Sequence, residues 1–220
     1  MKPMSRLALT VCGLALGSLA LAGFVPLRAD SYGCYALTNG GSDMRDSTQT
    51  DLTGLPSYSF LYTASNSSGA ESAWSREEAT IDAGKVWTKA SSGGVSRSSA
   101  SSGATMRFQV QNETVYNLNW EVSFQSVVWW DSAMVRLIDH TGQFEVARFD
   151  ANGSGSAQFT LDPTRVYSVS VSTNHNNLSW WSYPAADKNY LAEATLTPVP
   201  EPAALAALSL GVLAFLRRRR

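Results

Sequence analysis

From Thr114 to Gln125 the chain reads TVYNLNWEVSFQ. In extended backbone Tyr116, Leu118, Trp120, Val122 and Phe124 fall on one side, and Asn117, Asn119, Glu121, Ser123 and Gln125 on the other. A helix would scatter this set around its circumference, whereas a strand with one buried and one wet face separates it cleanly. The same alternation recurs in AQFTL, through Phe159 and Leu161, and in VYSVSVST, through Tyr167, Val169 and Val171. Weaker strand patterns cover Tyr58–Thr63, Lys85–Lys89, Thr105–Gln111, Met134–Asp139, Phe144–Phe149 and Leu191–Thr197.

The joints between these segments are turn-formers. HTG, DANGSGS and DPTR each separate two strand patterns, and no long helical pattern competes. The expected fold is therefore all-β, an antiparallel sandwich or jelly roll. Three stretches read less clearly. GAESAWSREEATIDAG is compatible with a short helix capped by Ser75 and Glu78, or with a strand and a loop. Ser42 to Leu55 is polar and irregular. SSGGVSRSSASSG, residues 91–103, offers almost nothing to bury and reads as a mobile loop within the domain.

The two ends are unlike this middle. Lys2 and Arg6 precede an apolar run from Leu7 to Gly23, followed by small-residue cleavage sites after Ala22 and after Ala29. This is the pattern of a secretory signal peptide, assigned to residues 1–29 with cleavage at 22 as the alternative. Cys12 follows Val11, where a lipoprotein signal needs a small residue, so lipidation is set aside. Once the signal is removed Cys34 is the only cysteine, and it is expected as a free or buried thiol.

Residues 30–197 form the expected ectodomain. It holds ten basic and seventeen acidic residues between Asp30 and Thr197, a formal charge of −7. Such a body argues against a nucleic-acid partner, which needs a basic surface.

At the other end stands TPVPEPAALAALSLGVLAFLRRRR. Ala203 to Leu216 is fourteen uncharged residues. As a helix it reaches roughly 21 Å, short of the ~30 Å hydrocarbon core. Snorkelling arginines and local bilayer thinning make it a short transmembrane helix with Arg217, Arg218, Arg219 and Arg220 on the cytoplasmic side. Val199, Pro200, Glu201 and Pro202 before it are held extended by the prolines.

Taken together, Val199-Pro200-Glu201-Pro202, a short apolar helix and a terminal arginine cluster resemble the PEP-CTERM sorting signal. The resemblance covers residues 198–220 only. It implies an exported protein of a Gram-negative bacterium that makes extracellular polysaccharide, with an exosortase-type enzyme as the processing partner. It also implies an inner-membrane stage before the protein reaches the cell surface or matrix. In that family the Pro-Glu-Pro, here Pro200, Glu201 and Pro202, is the recognised element. The apolar run is shorter than the family pattern.

No catalytic residue is singled out by the sequence. His140 and His175 lie in segments that read as a turn and a polar loop, and neither a Gly-x-Ser-x-Gly elbow nor a His-Glu-x-x-His motif occurs. Asp150, Asn152 and Ser154 match the first half of a calcium loop, but its twelfth position is Leu161, so a hairpin turn is the expectation. No cofactor is implied. The tryptophan pairs Trp129-Trp130 and Trp180-Trp181 are the remaining feature. Adjacent strand residues face opposite ways, so one of each pair must be exposed or covered by a loop. Exposed, they would stack on sugar rings; otherwise they cap the sandwich. Three functions follow as candidates: a non-catalytic structural or adhesive surface protein, a carbohydrate-binding module, and a secreted glycoside hydrolase with two facing carboxylates.

Overall fold

The computed structural model describes residues 23–96, 98–125, 131–176 and 188–200. Within them the chain forms β1 (Phe24–Ser31), β2 (Tyr35–Thr38), β3 (Gly41–Met44), β4 (Thr48–Asp51), β5 (Tyr58–Ser68), β6 (Glu71–Ile81) and β7 (Val86–Val95). There follow β8 (Ser98–Val110), β9 (Thr114–Ser123), β10 (Ser132–Asp139), β11 (Phe144–Phe149), β12 (Gly153–Leu161), β13 (Tyr167–Asn176) and β14 (Lys188–Pro198). One sheet runs β11-β10-β13-β8-β1-β4, with β2 on the first part of β8 and β3 on β2. The other runs β12-β9-β14-β7-β6-β5. The body is thus all-β, two large antiparallel sheets around a main core cluster and a smaller one beside β2.

The inward residues are those the alternation selects. Tyr116, Leu118 and Val122 of β9 are buried, as are Tyr167, Val169 and Val171 of β13 and Leu161 of β12. They meet Ala104, Met106 and Phe108 of β8 and Val135 and Leu137 of β10 in one cluster. Each fully buried large side chain stabilises by about 1.5–3 kcal/mol relative to exposure.

Two sequence expectations are corrected, those for residues 91–103 and 42–55. Residues 91–103 are not a mobile loop: they carry the second half of β7, to Val95, and the first half of β8, from Ser98. Small side chains serve a close approach here rather than disorder. β7 and β8 belong to different sheets, yet Ser102 Oγ donates to the Ser91 carbonyl at 3.0 Å, a hydrogen bond between the sheets. A Cβ on Gly94 would meet the Ser98 side chain closer than atoms can approach.

Of the two readings open for GAESAWSREEATIDAG, the strand holds: it contains β6, paired on both sides by β5 and β7. Its buried face is Ala73, Ser75, Glu77, Ala79 and Ile81, a period of two hidden because a serine and a glutamate sit in it. The polar stretch 42–55, read as irregular, carries two short strands, β3 and β4. Ala29 lies inside β1, which pairs with β8 from Phe24 to Ser31. Phe24 is buried, with its ring 5.1 Å from Phe108 and 5.2 Å from Tyr116.

Candidate ligand-binding end of the sandwich

The register of the strands separates the two ends of the molecule. At one end Phe24 pairs with Val110 and Pro198 with Tyr116, and Val199 N–H donates to the Val115 carbonyl at 2.8 Å. Both ends of the described chain leave from here. At the other end Ser132 pairs with Asn174, Asn176 with Ser99, and Lys188 with Gly94. The segments 126–130 and 177–187 start and finish on the strand ends of this second end. They carry Trp129, Trp130, Trp180 and Trp181, which lie outside the described residues.

Directly at these strand ends sits a buried polar group of residues. His175 closes the inward series Tyr167, Val169, Val171 and Thr173 of β13 and is 0% exposed, which corrects its reading as a surface-loop residue. The series itself was the signal: four inward positions at period two place the fifth, His175, inward as well. Its ring stacks on Tyr190 at 5.1 Å, and its Nε2 lies 3.1 Å from Ser98 Oγ. Nδ1 is 3.8 Å from Asp131 Oδ1 and has no hydrogen-bond partner. Asp131 Oδ2 accepts from the Tyr190 hydroxyl at 2.8 Å, and that hydroxyl also lies 2.9 Å from the Gln125 carbonyl. Lys188 is buried beside them.

Burial dominates the electrostatics. It pulls the His175 pKa down to about 4, against the opposing attraction of Asp131 and with help from Lys188. It also lowers Lys188, which Asp131 partly restores, and it raises the Tyr190 phenol, as do its hydrogen bond to Asp131 and that residue's charge. At neutral pH His175 is therefore an uncharged acceptor or donor in a stack. Ser98, His175 and Asp131 have the residue types of a nucleophilic triad. Their geometry differs from one: the Asp–His separation exceeds a hydrogen bond, and the Ser98 hydroxyl is packed against Gly94 with no exposed surface. The group brings together β8, β13, β14 and Asp131, the residue just before β10.

The other candidates are placed as follows. His140 lies in the turn after β10, with Nε2 2.9 Å from Ser168 Oγ. Asp150 pairs with Arg148 at 2.7 Å. Asn152 Oδ1 accepts from Phe124 N–H at 2.6 Å, and its amide donates to the Phe124 carbonyl at 2.9 Å. Asp150, Asn152 and Ser154 thus stand where β11 of one sheet passes to β12 of the other, a crossing between sheets instead of the expected hairpin. Among the described residues no group of three acidic, histidine or cysteine side chains converges on one point. Cys34 is free and fully buried; burial first, then the charge of Glu77, push its thiol up to about 12. Of the sorting motif, Val199 is half-buried and Pro200 exposed, while Glu201, Pro202 and Arg217 to Arg220 lie outside the described residues.

Comparison with known proteins gives one firm match, at the tail. No curated protein matches the chain. A solved structure described as TmCBM61 in complex with beta-1,4-galactotriose is 10% identical, with 66% of this chain and 90% of that one covered, at a TM-score of 0.31. The secreted serine protease VesC from Vibrio cholerae is 9% identical, with 80% and 51% covered, at a TM-score of 0.25. Likenesses this weak carry no functional weight. Residues 198–220 match the PEP-CTERM protein-sorting motif. The chain is therefore an exported, cell-surface-associated all-β body that carries a PEP-CTERM sorting motif, a motif that implies processing by an exosortase-family enzyme.

Proposed function

We propose that the protein is a non-catalytic surface protein of a Gram-negative cell that binds extracellular polysaccharide through the end of its sandwich remote from the sorting tail. The observation that carries this reading is the polarity of the strands. β14 begins at Lys188, where the segment holding Trp180 and Trp181 ends, and finishes at Pro198, beside the sorting motif. An eleven-residue strand of this kind spans about 36 Å. A body delivered with its tail in the inner membrane and its arginines in the cytoplasm would present the strand ends at Ser132, Asn176 and Lys188 on the side away from the bilayer. Trp129, Trp130, Trp180 and Trp181 then supply stacking faces, and the enclosed Ser98 argues for binding without turnover.

The mature chain in this reading starts at Gly23. Its carbonyl accepts from Gln111 N–H at 2.9 Å. Cleavage after Ala29 would strip Phe24 out of the core and most of β1 from between β8 and β4.

The test is co-sedimentation of the mature protein with polysaccharide isolated from the producing cells. Trp130→Ala and Trp181→Ala should each weaken binding by about tenfold, the scale of an aromatic anchor. Wild-type binding that neither change reduces would remove the tryptophans from the account. Absence of binding would leave the structural or adhesive role. Release of reducing sugar would favour the hydrolase.

A further inference from the structure

We propose a second saccharide subsite on the flank of the sandwich, in the cleft between residues 45–48 and the edge strand β5; it rests on the glycan-binding reading above. The cleft measures about 390 Å³ and is lined by Arg45, Asp46, Thr48, Leu61, Tyr62 and Thr63. That volume lies within the ~300–1,000 Å³ of small-molecule sites.

Its walls are held from both sides. Arg45 N–H donates to the Cys34 carbonyl at 2.8 Å, and Asp43 Oδ2 accepts from Ser65 N–H at 2.9 Å, which ties β3 to β5. The chain between β3 and β4 therefore arches beside β5 without closing its edge. Tyr62 is half-buried against Cys34, Ala36, Ala64, Ala73 and Ala100, which fixes one side of its ring. It is the last of three rings along one face of β5, 5.4 Å from Phe60, which lies 6.2 Å from Tyr58. Leu61 leaves 52% of its surface exposed beside it.

The polar lining selects the ligand class. Arg45 and Asp46 are exposed and form no salt bridge or side-chain hydrogen bond among the described residues. Arginine offers a fork of donors and aspartate only acceptors, so together with the hydroxyls of Thr48 and Thr63 they can satisfy adjacent hydroxyls of a sugar in both directions. The two charges cancel, which favours a neutral polyhydroxylated ring over a phosphate or a uronate. The half-buried Tyr62 ring supplies the apolar surface that the carbon face of a pyranose needs, while Leu61, which points to the other face of β5, borders the cleft from that side.

The experiment is an NMR titration of the isotopically labelled mature protein with oligosaccharides from partial hydrolysis of the producing cells' polysaccharide. Shift changes at residues 45–48 and 61–63 are expected, with affinity lowered at least about tenfold by Arg45→Ala and by Asp46→Asn. Both positions are exposed, so these variants should fold as the parent does. Tyr62→Leu keeps the core filled and should weaken binding without unfolding. Binding that the tryptophan variants abolish while these three leave it intact would overturn the flank site and leave the glycan reading standing. No shift change with any oligosaccharide would overturn both.

Discussion

His175 stands where a serine- and asparagine-rich sequence suggests solvent, and it is one of the most enclosed side chains in the protein. Its burial has a consequence for pH. The imidazole titrates near 6.5 in an unfolded chain and at about 4 in the folded one. The unfolded state therefore takes up the proton first, and stability falls as the pH drops from about 6.5 towards 4. A displacement of this size is worth about 3 kcal/mol when fully expressed. Glu77 acts in the opposite sense. Burial raises its carboxyl, although Ser31 and the Gly103 N–H both hydrogen-bond to it, so acidification favours its folded form. A His175→Gln variant separates the two, because Glu77 is common to both proteins. Urea midpoints at pH 7 and pH 5 should fall more in the parent than in the variant; equal falls would show that His175 is not the group responsible.

At the level of the strands, legibility followed side-chain size. β9 and β13 could be read because large apolar residues alternate with polar ones, so their period and their core face appear together. The β7–β8 crossing could not, because the residues that let two sheets touch are serine and glycine, the same residues that compose flexible linkers. β6 hid for a related reason, with Glu77 and Ser75 in its buried face. β1 was masked by its neighbour: its apolar start, Phe24 and Val25, continues the apolar run that begins at Leu7. The close approach makes a direct prediction. Gly94→Ala places a methyl against Ser98 and the Ser72 carbonyl, which is backbone and cannot turn away. The variant should lose about 1–3 kcal/mol, the usual range for overpacking, seen as a lower thermal midpoint. An unchanged midpoint would mean that the two sheets are free to separate there.

For the whole molecule, the tail was readable from a few residues because a sorting signal is a linear message, recognised in extended form. The polar group around His175 was not, because Ser98, Asp131, His175 and Lys188 meet only once four strands from two sheets are assembled. The flank cleft is likewise a product of assembly, since Arg45 and Tyr62 become neighbours through the pairing of β2 with β8 and the tie between Asp43 and Ser65. Both ends of the described chain leave from one end of the sandwich. The most direct test is the intact mass of the protein recovered from its native cells, measured separately in membrane, surface and medium fractions. The account predicts a surface or medium species that begins at Gly23 and ends close to Pro202, with any additional mass on that same chain. A surface species that begins at Asp30, or one that still carries Arg217 to Arg220, would contradict it.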